Sequence, residues 1–483
     1  MKLFDLIDKE QILCVKGISS TEADLYPHHT KNAPDEKALI FIYDGEIPAR
    51  NTNEPPPYAY VVSELLNTDI PQIKVRSVRA AMAYAYSKFY KISYQDLKFI
   101  GITGTNGKTT TAKLTRNILK EAGKRVGFIG TGEVTCLERR LNEENYSYTT
   151  PPPHILFPII KKMEEEGCEY IVMEVSSHAL SQERVSPIHF EIGIFTNLSK
   201  EHSDYHETME DYYSAKLQLI KSAQKALINI DDDYGRRAYR ERGESDTSIG
   251  IIRKADAGLI DIESCGLDGT SFTYFELGVI KRFRIKLPGS YNLYNALLAI
   301  KCAKMLSIDI NVIKSAIEKD IKIDGRFEII RKDRTLIIDY AHTPDAFENI
   351  LKTLNSSLIF GQRLHVVFGC GGDRDKAKRP QMGAIAEKYC DVIYITSDNC
   401  RNESFTDIAK KILLGIRDKD KARVIKDRRK AIIKCIEESK KGDVIALLGK
   451  GAERYVIENG NYRHFDEKDV IESYYSGEKD SDN

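Results

Sequence analysis

The sequence predicts an α/β protein of three domains. A central parallel-sheet domain with a phosphate-loop-like turn is flanked by a small α/β N-terminal domain and a Rossmann-like C-terminal one. Three observations lead there. The chain has 483 residues, and single cores rarely exceed ~250–300 residues, so several domains are needed. From about residue 97 to 323, β-prone runs alternate with stretches of helical period, the pattern of a parallel sheet with helices on both faces. After Asp324-Gly325-Arg326-Phe327-Glu328 a second α/β series begins. The expected domains are therefore 1–96, 97–323 and 324–483.

In the first domain, Ala38 to Tyr43 and Tyr58 to Val62 read as strands, with the polar, proline-rich loop Pro48 to Pro57 between them. Val78, Met82, Ala85, Tyr86 and Phe89 then fall at helical spacing. In the second, strands are expected at Leu97–Thr103, Arg125–Ile129, Tyr170–Val175, Ile192–Thr196 and Lys225–Asn229. Helices are expected at Ala112–Ala122, Ile155–Glu166 and Leu293–Met305, and a hairpin about Asp268-Gly269. In the third, Leu336–Asp339, His365–Phe368, Val392–Thr396 and Val444–Leu448 read as strands, and Ser476 to Asn483 as a polar, disordered tail.

Composition narrows the function. Lysine plus arginine equals aspartate plus glutamate at 72 each, so no bulk charge points to nucleic acid or an anionic membrane. No run approaches the ~18–20 apolar residues of a membrane span, and Met1 to Lys16 mixes charges among its apolar residues. Nine cysteines lie scattered without CxxC pairing, which fits a reducing cytoplasm and argues against a disulfide frame or zinc site. A cytoplasmic protein without membrane insertion is expected.

The chemistry centres on Gly101-Ile102-Thr103-Gly104-Thr105-Asn106-Gly107-Lys108-Thr109-Thr110. A strand, a glycine-rich turn and a helix start form a phosphate cradle, because glycines let backbone N–H groups converge on an anion. Lys108 would reach the outer phosphates and Thr109 would offer a hydroxyl to Mg²⁺. The spacing departs from the usual motif: Gly101 lies one residue too far upstream. Three further clusters fall where strand ends converge: Glu174 to Ala179, Thr196 to His206, and Tyr213 to Lys216. A carboxylate and an imidazole beside phosphates suit Mg²⁺, which favours oxygen ligands.

With the loop, these clusters make the chain similar to the Mur ligases, most closely the branch that adds an amino acid to UDP-N-acetylmuramoyl-dipeptide. The resemblance spans roughly residues 97 to 470. It rests on Gly104–Thr110, Thr149-Thr150-Pro151, Glu174 to His178, Asn197 to His206, Ala215-Lys216, Asn292 to Asn295, Asp324 to Glu328, Asp339 to Asp345, Gly369 to Pro380 and Gly449-Lys450-Gly451. So many ordered motifs set folylpolyglutamate synthetases aside as the nearer relatives.

The resemblance implies an ATP-dependent carboxylate–amine ligase of cell-wall precursor synthesis, working as a monomer. A substrate carboxylate would take the γ-phosphoryl group of ATP, and an amine would then displace phosphate. Gly104, Thr105, Asn106, Gly107, Lys108, Thr109 and Thr110 would cradle the phosphates, and Asn292 and Asn295 would hold adenine. Arg326, Asp339 and His342 would reach ATP from the third domain. Thr109, Glu174 and His202 would hold Mg²⁺. Lys216 aligns with a lysine that family members carbamylate with CO₂, which would convert an ammonium into an anionic metal ligand and requires a neutral amine first. Lys108, Glu174, His202 and Lys216 form the implied catalytic set. Thr149, Thr150, Ser177 and Arg184 would grip the nucleotide-sugar peptide.

For the amine, Ser397-Asp398-Asn399-Cys400-Arg401 resembles the Asp-Asn-Pro-Arg motif of the meso-diaminopimelate-adding enzymes, with Cys400 in place of proline. An arginine fork suits a distal carboxylate that lysine would lack. Arg374, Gly449 and Glu453 align with other contacts to the amine, and Ala452 stands where the family usually has histidine. The first domain departs further. The family's uridine-binding Asp-Ser-Arg has its best match in Ile18-Ser19-Ser20-Thr21, and its downstream segment in Asp44-Gly45. Losing an acid and an arginine removes charge-assisted contacts of ~1.5–3 kcal/mol each. Two alternatives therefore stay open at this level: the same chemistry on another acceptor or with L-lysine, and a nucleotide-binding regulator without turnover.

Overall fold

The computed structural model describes residues 1–18, 24–28, 36–43, 56–141, 146–201, 205–243, 246–458 and 460–477. His202, Ser19 to Thr21 and Asp44-Gly45 lie outside them. Among the described residues, three main sheets of five, eleven and six strands follow one another along the chain, with a two-stranded ribbon near the end.

The first sheet pairs Ile12–Lys16, Gln72–Val75, Ala59–Val62, Ala38–Ile42 and Tyr26–His28 in that spatial order. The central strands Ala38–Ile42 and Ala59–Val62 are buried along their whole length, which is why they were readable as apolar runs. The short outer strands carry no such pattern. Helix Val78–Phe89 begins at Ser77, whose hydroxyl accepts from Ala80 N at 3.2 Å, a side-chain N-cap.

The core of the second sheet is parallel, in the order Lys225–Asn229, Phe190–Phe195, Lys98–Thr103, Tyr170–Glu174, Val126–Gly130. Lys98–Thr103, the strand leading to the glycine loop, is thus central, and its C-terminal end faces the loops that follow its neighbours. That is where α/β sheets bind ligands. Both margins differ from the simple expectation. On one side Glu133–Cys136 pairs antiparallel with Val126–Gly130. On the other, the hairpin about Asp268-Gly269 belongs to a three-stranded meander of Ala257–Ser264, Thr270–Glu276 and Val279–Ile285. The third sheet runs Glu328–Arg331, Thr335–Asp339, Val444–Leu448, Leu364–Phe368, Val392–Ile395 and Ala422–Val424. All but its first pair are parallel.

Gly101 has a packing role that its spacing concealed. It sits inside the buried strand Lys98–Thr103, and a Cβ there would lie 2.7 Å from two Phe190 ring carbons and 2.9 Å from Leu219 Cδ1. The Phe190 ring is itself held edge-on against Phe99 at 6.4 Å. Gly101 therefore lets a helix and an aromatic pair approach the sheet, and the phosphate turn begins at Gly104. Gly101→Ala should cost about 1–3 kcal/mol by overpacking, read as a thermal midpoint several degrees lower with the KM for ATP unchanged. An unchanged midpoint would contradict the packing role.

Candidate active site

The glycine turn is shaped by close approach. Gly104 has φ +146° and Gly107 has φ +86°, conformations that L side chains rarely adopt. A Cβ on Gly104 would meet Thr196 Oγ1 at 1.8 Å, and one on Gly107 would meet Asn295 Oδ1 at 2.3 Å. Gly107 then starts helix Lys108–Glu121, one turn ahead of the periodic pattern, since Lys108 to Thr111 are polar and carry no apolar signal. Asn197 clamps the turn from the next strand end: its Oδ1 accepts from Asn106 N and its Nδ2 donates to Asn106 O, both at 3.0 Å. Thr196 Oγ1 adds a bond to Asn106 O at 2.7 Å.

Two lysines meet on this turn. Lys108 Nζ donates to the carbonyls of Gly104 and Thr105, each at 2.9 Å. Lys216, on helix Met209–Ser222, donates to the same Gly104 oxygen at 2.8 Å. Its Nζ also lies 4.6 Å from the Tyr212 ring centroid. Burial lowers the pKa of Lys108, opposed by Glu174 and Glu201. Burial lowers Lys216 well below the ordinary lysine value, and the positive charge of Lys108 lowers it further. Burial and Lys108 together favour the neutral amine of Lys216.

Glu174 ends its strand fully buried. Oε2 accepts from Thr109 Oγ1 at 3.0 Å and from Thr131 Oγ1 at 3.2 Å, and Oε1 from Thr131 N at 2.9 Å. Thr131 had no signal in the sequence; it touches Thr149 Oγ1 at 3.0 Å. A carboxylate and a hydroxyl 3.0 Å apart beside a phosphate turn fit Mg²⁺, which takes few protein oxygens and leaves positions for phosphates and water. Among the described residues no cluster of three or more His, Cys, Asp or Glu side chains forms a closed metal cage.

The third domain completes the cleft. Arg326 NH2 reaches Thr109 Oγ1 at 3.2 Å, and its guanidinium carbon lies 4.5 Å from the Tyr340 ring centroid. Asp339 accepts from Phe327 N and Ala341 N, each at 2.7 Å, which fixes Arg326 and His342 on adjoining backbone. Burial raises the Asp339 carboxyl, opposed by Arg326. Two cross-domain contacts had no local signal: His342 Nε2 to Glu201 Oε1 at 2.8 Å, and Asn106 Nδ2 to Asp345 Oδ2 at 3.1 Å. Thr105–Thr110, Thr149, Glu174, Asn292, Asn295, Arg326, Asp339 and His342 all line one cleft of about 450 Å³.

Asn292 and Asn295 lie on the cleft floor but also brace each other. Asn295 Nδ2 donates to Asn292 Oδ1 at 3.0 Å, Asn292 Nδ2 to Pro288 O at 2.7 Å, and Thr111 Oγ1 to Asn295 Oδ1 at 3.3 Å. Beside them Asp231, unanticipated, accepts from the backbone N–H of Ile251, Ile252 and Arg253 at 2.6–2.8 Å and from Tyr294 OH at 2.9 Å. It ties one cleft wall in place.

A second group joins Thr149 below the loop. Thr150 Oγ1 donates to Glu174 O at 2.9 Å and accepts from Ser176 N at 3.0 Å. Arg184 NH1 donates to Thr150 O at 2.6 Å, and its other nitrogens go to Gln182 Oε1. Ser177 Oγ is buried without a hydrogen-bond partner among the described residues. The third group lies in the last sheet. Arg401 NH1 donates to Gly372 O at 2.9 Å and Asn399 O at 3.3 Å, and a Cβ on Gly371 would lie 3.0 Å from that NH1 and 3.7 Å from Arg374 Cγ. Asn399 Nδ2 donates to Glu453 Oε2 at 2.9 Å, and Gly449 adjoins Asp398. Cys400 is buried at 3% exposure. Tyr340 OH reaches Glu453 Oε1 at 3.4 Å, so one ring separates the Arg326 end of the cleft from this group.

The Mur ligase middle domain matches residues 102–303, and the Mur ligase glutamate ligase domain matches 325–451. The chain is 37% identical to UDP-N-acetylmuramoyl-L-alanyl-D-glutamate–2,6-diaminopimelate ligase 1 of Clostridium acetobutylicum over 98% of this chain and 99% of that one. The chain belongs to the Mur ligase family. The Mur ligase of the same designation from Clostridium perfringens is 42% identical over 85% of this chain and 84% of its own. A solved diaminopimelate ligase structure superposes with a TM-score of 0.61 at 29% identity, covering 87% of each chain. Mycobacterium tuberculosis folylpolyglutamate synthase shares the fold at a TM-score of 0.64 and 16% identity, covering 76% of this chain and 91% of that one.

As a Mur ligase the chain is an ATP-dependent, Mg²⁺-using enzyme, and Lys216 is the residue whose removal the site should feel without losing its shape. Lys216→Met keeps the buried volume and discards the amine. It should lower turnover by about 10²-fold or more while ATP still binds. Turnover within threefold of wild type would remove Lys216 from the reaction.

Proposed function

We propose that this Mur ligase joins meso-diaminopimelate to UDP-N-acetylmuramoyl-L-alanyl-D-glutamate at the expense of ATP, in peptidoglycan precursor synthesis. The observation that carries the amine is the Asp398-Asn399-Cys400-Arg401 segment, folded so that Arg401 NH1 and the Arg374 side-chain stem both lie beside Gly371. Two arginines suit the distal carboxylate of a diamino diacid, and relatives named for diaminopimelate match over nearly the full chain. We further propose that residues 1–96 carry the nucleotide-sugar, 97–323 ATP and 324–483 the amine, and that the enzyme works as a cytoplasmic monomer. No helix among the described residues is long and apolar enough to cross a membrane.

In the proposed reaction the glutamyl carboxylate attacks the γ-phosphorus and ADP leaves, giving an acyl phosphate. The amine then attacks the acyl carbon, and phosphate leaves with the original carboxylate oxygen. Both reactants of the first step are anions, so the chain's task is to hold them in line and offset their repulsion. Lys108 supplies a fixed cation on the phosphate turn, and Arg326 supplies one from the third domain. Thr109 and Glu174 would hold Mg²⁺, with His202 expected to hold a second ion; bound Mg²⁺ neutralises charge on the phosphoryl oxygens. Lys216 donates to the same carbonyl as Lys108, and burial favours its neutral form; carbamylation by CO₂ would put an anionic oxygen donor beside the phosphates. Thr150, Ser177 and Arg184 would orient the acceptor, and Ser177 Oγ has no partner among the described residues that would compete for it.

The test is ADP release from purified protein with Mg²⁺, bicarbonate and UDP-N-acetylmuramoyl-L-alanyl-D-glutamate, with meso-diaminopimelate or L-lysine. Release should follow diaminopimelate, and Arg401→Ala should raise its KM by about tenfold or more. Release with lysine alone would overturn the amine. Silence with both, while ATP binds, would overturn the acceptor.

A further inference from the structure

Lys450 lies just after the strand Val444–Leu448, and none of the roles above uses it. Its side chain is fully buried. Nζ lies 3.3 Å from Glu453 Oε2, 3.4 Å from Asn399 Oδ1 and 4.0 Å from Asp398 Oδ1. The Tyr455 ring centroid is 5.7 Å away. One ammonium therefore contacts three of the residues proposed for the amine.

A buried ammonium without partners is strongly disfavoured. Lys450 is tolerated here because two carboxylates share its charge. The converse matters more. Asp398 and Glu453 are 10% and 21% exposed, and with no internal cation their repulsion would drive one to take a proton or swing away. Burial raises the Asp398 carboxyl, but Lys450 and then Arg428 outweigh it and hold Asp398 below its ordinary range. Asn399 is fixed between the same groups: its Nδ2 donates to Glu453, and its Oδ1 accepts from Ile457 N at 3.0 Å as well as from Lys450. Each polar atom thus has one stable direction as long as the ammonium is present.

We propose that Lys450 is the internal counter-ion of the amino-acid subsite, a positioning residue that holds Glu453, Asn399 and Asp398 in their binding orientation and sets the subsite's net charge. The proposal rests on the reading of that subsite given above. Lys450 supplies a fixed positive charge to the pair Asp398 and Glu453, so the subsite is one charge more positive with it than without it. A diamino diacid is neutral overall, so its entry is little affected by that charge, whereas lysine brings an extra positive charge that Lys450 disfavours. Selection then depends on a residue that never touches the substrate.

Lys450→Met keeps the length and removes the charge. In steady-state kinetics the KM for meso-diaminopimelate should rise about tenfold or more, with the KM for ATP and for the nucleotide-sugar within about twofold. The ratio of kcat/KM for diaminopimelate over lysine should fall about tenfold. An unmoved amine KM, or equal rises for ATP and amine as general loosening would give, overturns the assignment. Should the methionine variant not fold, Lys450→Ala with added ethylammonium replaces it: recovery of the amine KM with ethylammonium and not with equal NaCl supports the counter-ion, and no recovery, or failure of both variants to fold, overturns it. Wild-type silence with both amines overturns the functional reading and this assignment together. Wild-type turnover with an unmoved variant overturns this assignment alone.

Discussion

Two buried lysines share one carbonyl oxygen, and the rest of the site is arranged around that constraint. Lys108 and Lys216 both donate to Gly104 O, at 2.9 and 2.8 Å. Two ammoniums so close in a buried site repel, which favours loss of a proton from one of them. Lys108 has Glu174 and Glu201 as electrostatic support, whereas Lys216 has Lys108 against it and Glu201 as a weaker compensation. That balance favours the cation at Lys108, although Arg326 also opposes it, and the neutral amine at Lys216. The φ of Gly104 turns its carbonyl toward both, and Thr196 leaves no room there for a side chain. A glycine, two lysines and a threonine from separate segments are mutually dependent.

The same logic extends across the cleft. Arg326 on Thr109, His342 on Glu201 and Asp345 on Asn106 tie the third domain to the phosphate turn. Each joins polar groups that would otherwise face a water-filled gap, so the contacts favour an approach of the two domains around ATP. Tyr340 extends the link, with Arg326 on its ring and Glu453 at its hydroxyl. The phosphate end and the amine end of the proposed reaction are one side chain apart, which suits a sequence in which an activated carbonyl must meet its amine before water does.

How much of this was legible depended on whether the signal was local. The glycine turn, Glu174 at the end of an apolar strand and the parallel order of strands all follow from short-range pattern, and the fold agrees with them. The helix after the turn starts earlier than its apolar period shows, because Lys108 to Thr110 line the cleft and Thr111 bonds Asn295, so none of the four adds to the apolar pattern. Glu201 with His342 and Asn106 with Asp345 are separated by 141 and 239 residues; nothing in either neighbourhood announces its partner. Thr131 and Asp231 escaped for the same reason, since each acts through backbone groups brought close by the sheet. Gly101 was visible as a misplaced glycine, yet its cause is the Phe190 ring, a contact 89 residues downstream that only the folded sheet creates. The short strands Ile12–Lys16 and Tyr26–His28 lack the buried run that made their neighbours readable.

The central claim is that the cleft activates a carboxylate by phosphorylation, and the fate of one oxygen tests it. UDP-N-acetylmuramoyl-L-alanyl-D-glutamate labelled with ¹⁸O in the reacting carboxylate would be turned over with ATP and meso-diaminopimelate, and the released phosphate analysed by mass. One ¹⁸O in phosphate for each amide formed is the predicted result, because the oxygen that attacks phosphorus leaves with it. Unlabelled phosphate accompanying amide formation would contradict the acyl-phosphate route, and with it the reason for gathering Lys108, Glu174, Lys216 and Arg326 around one turn.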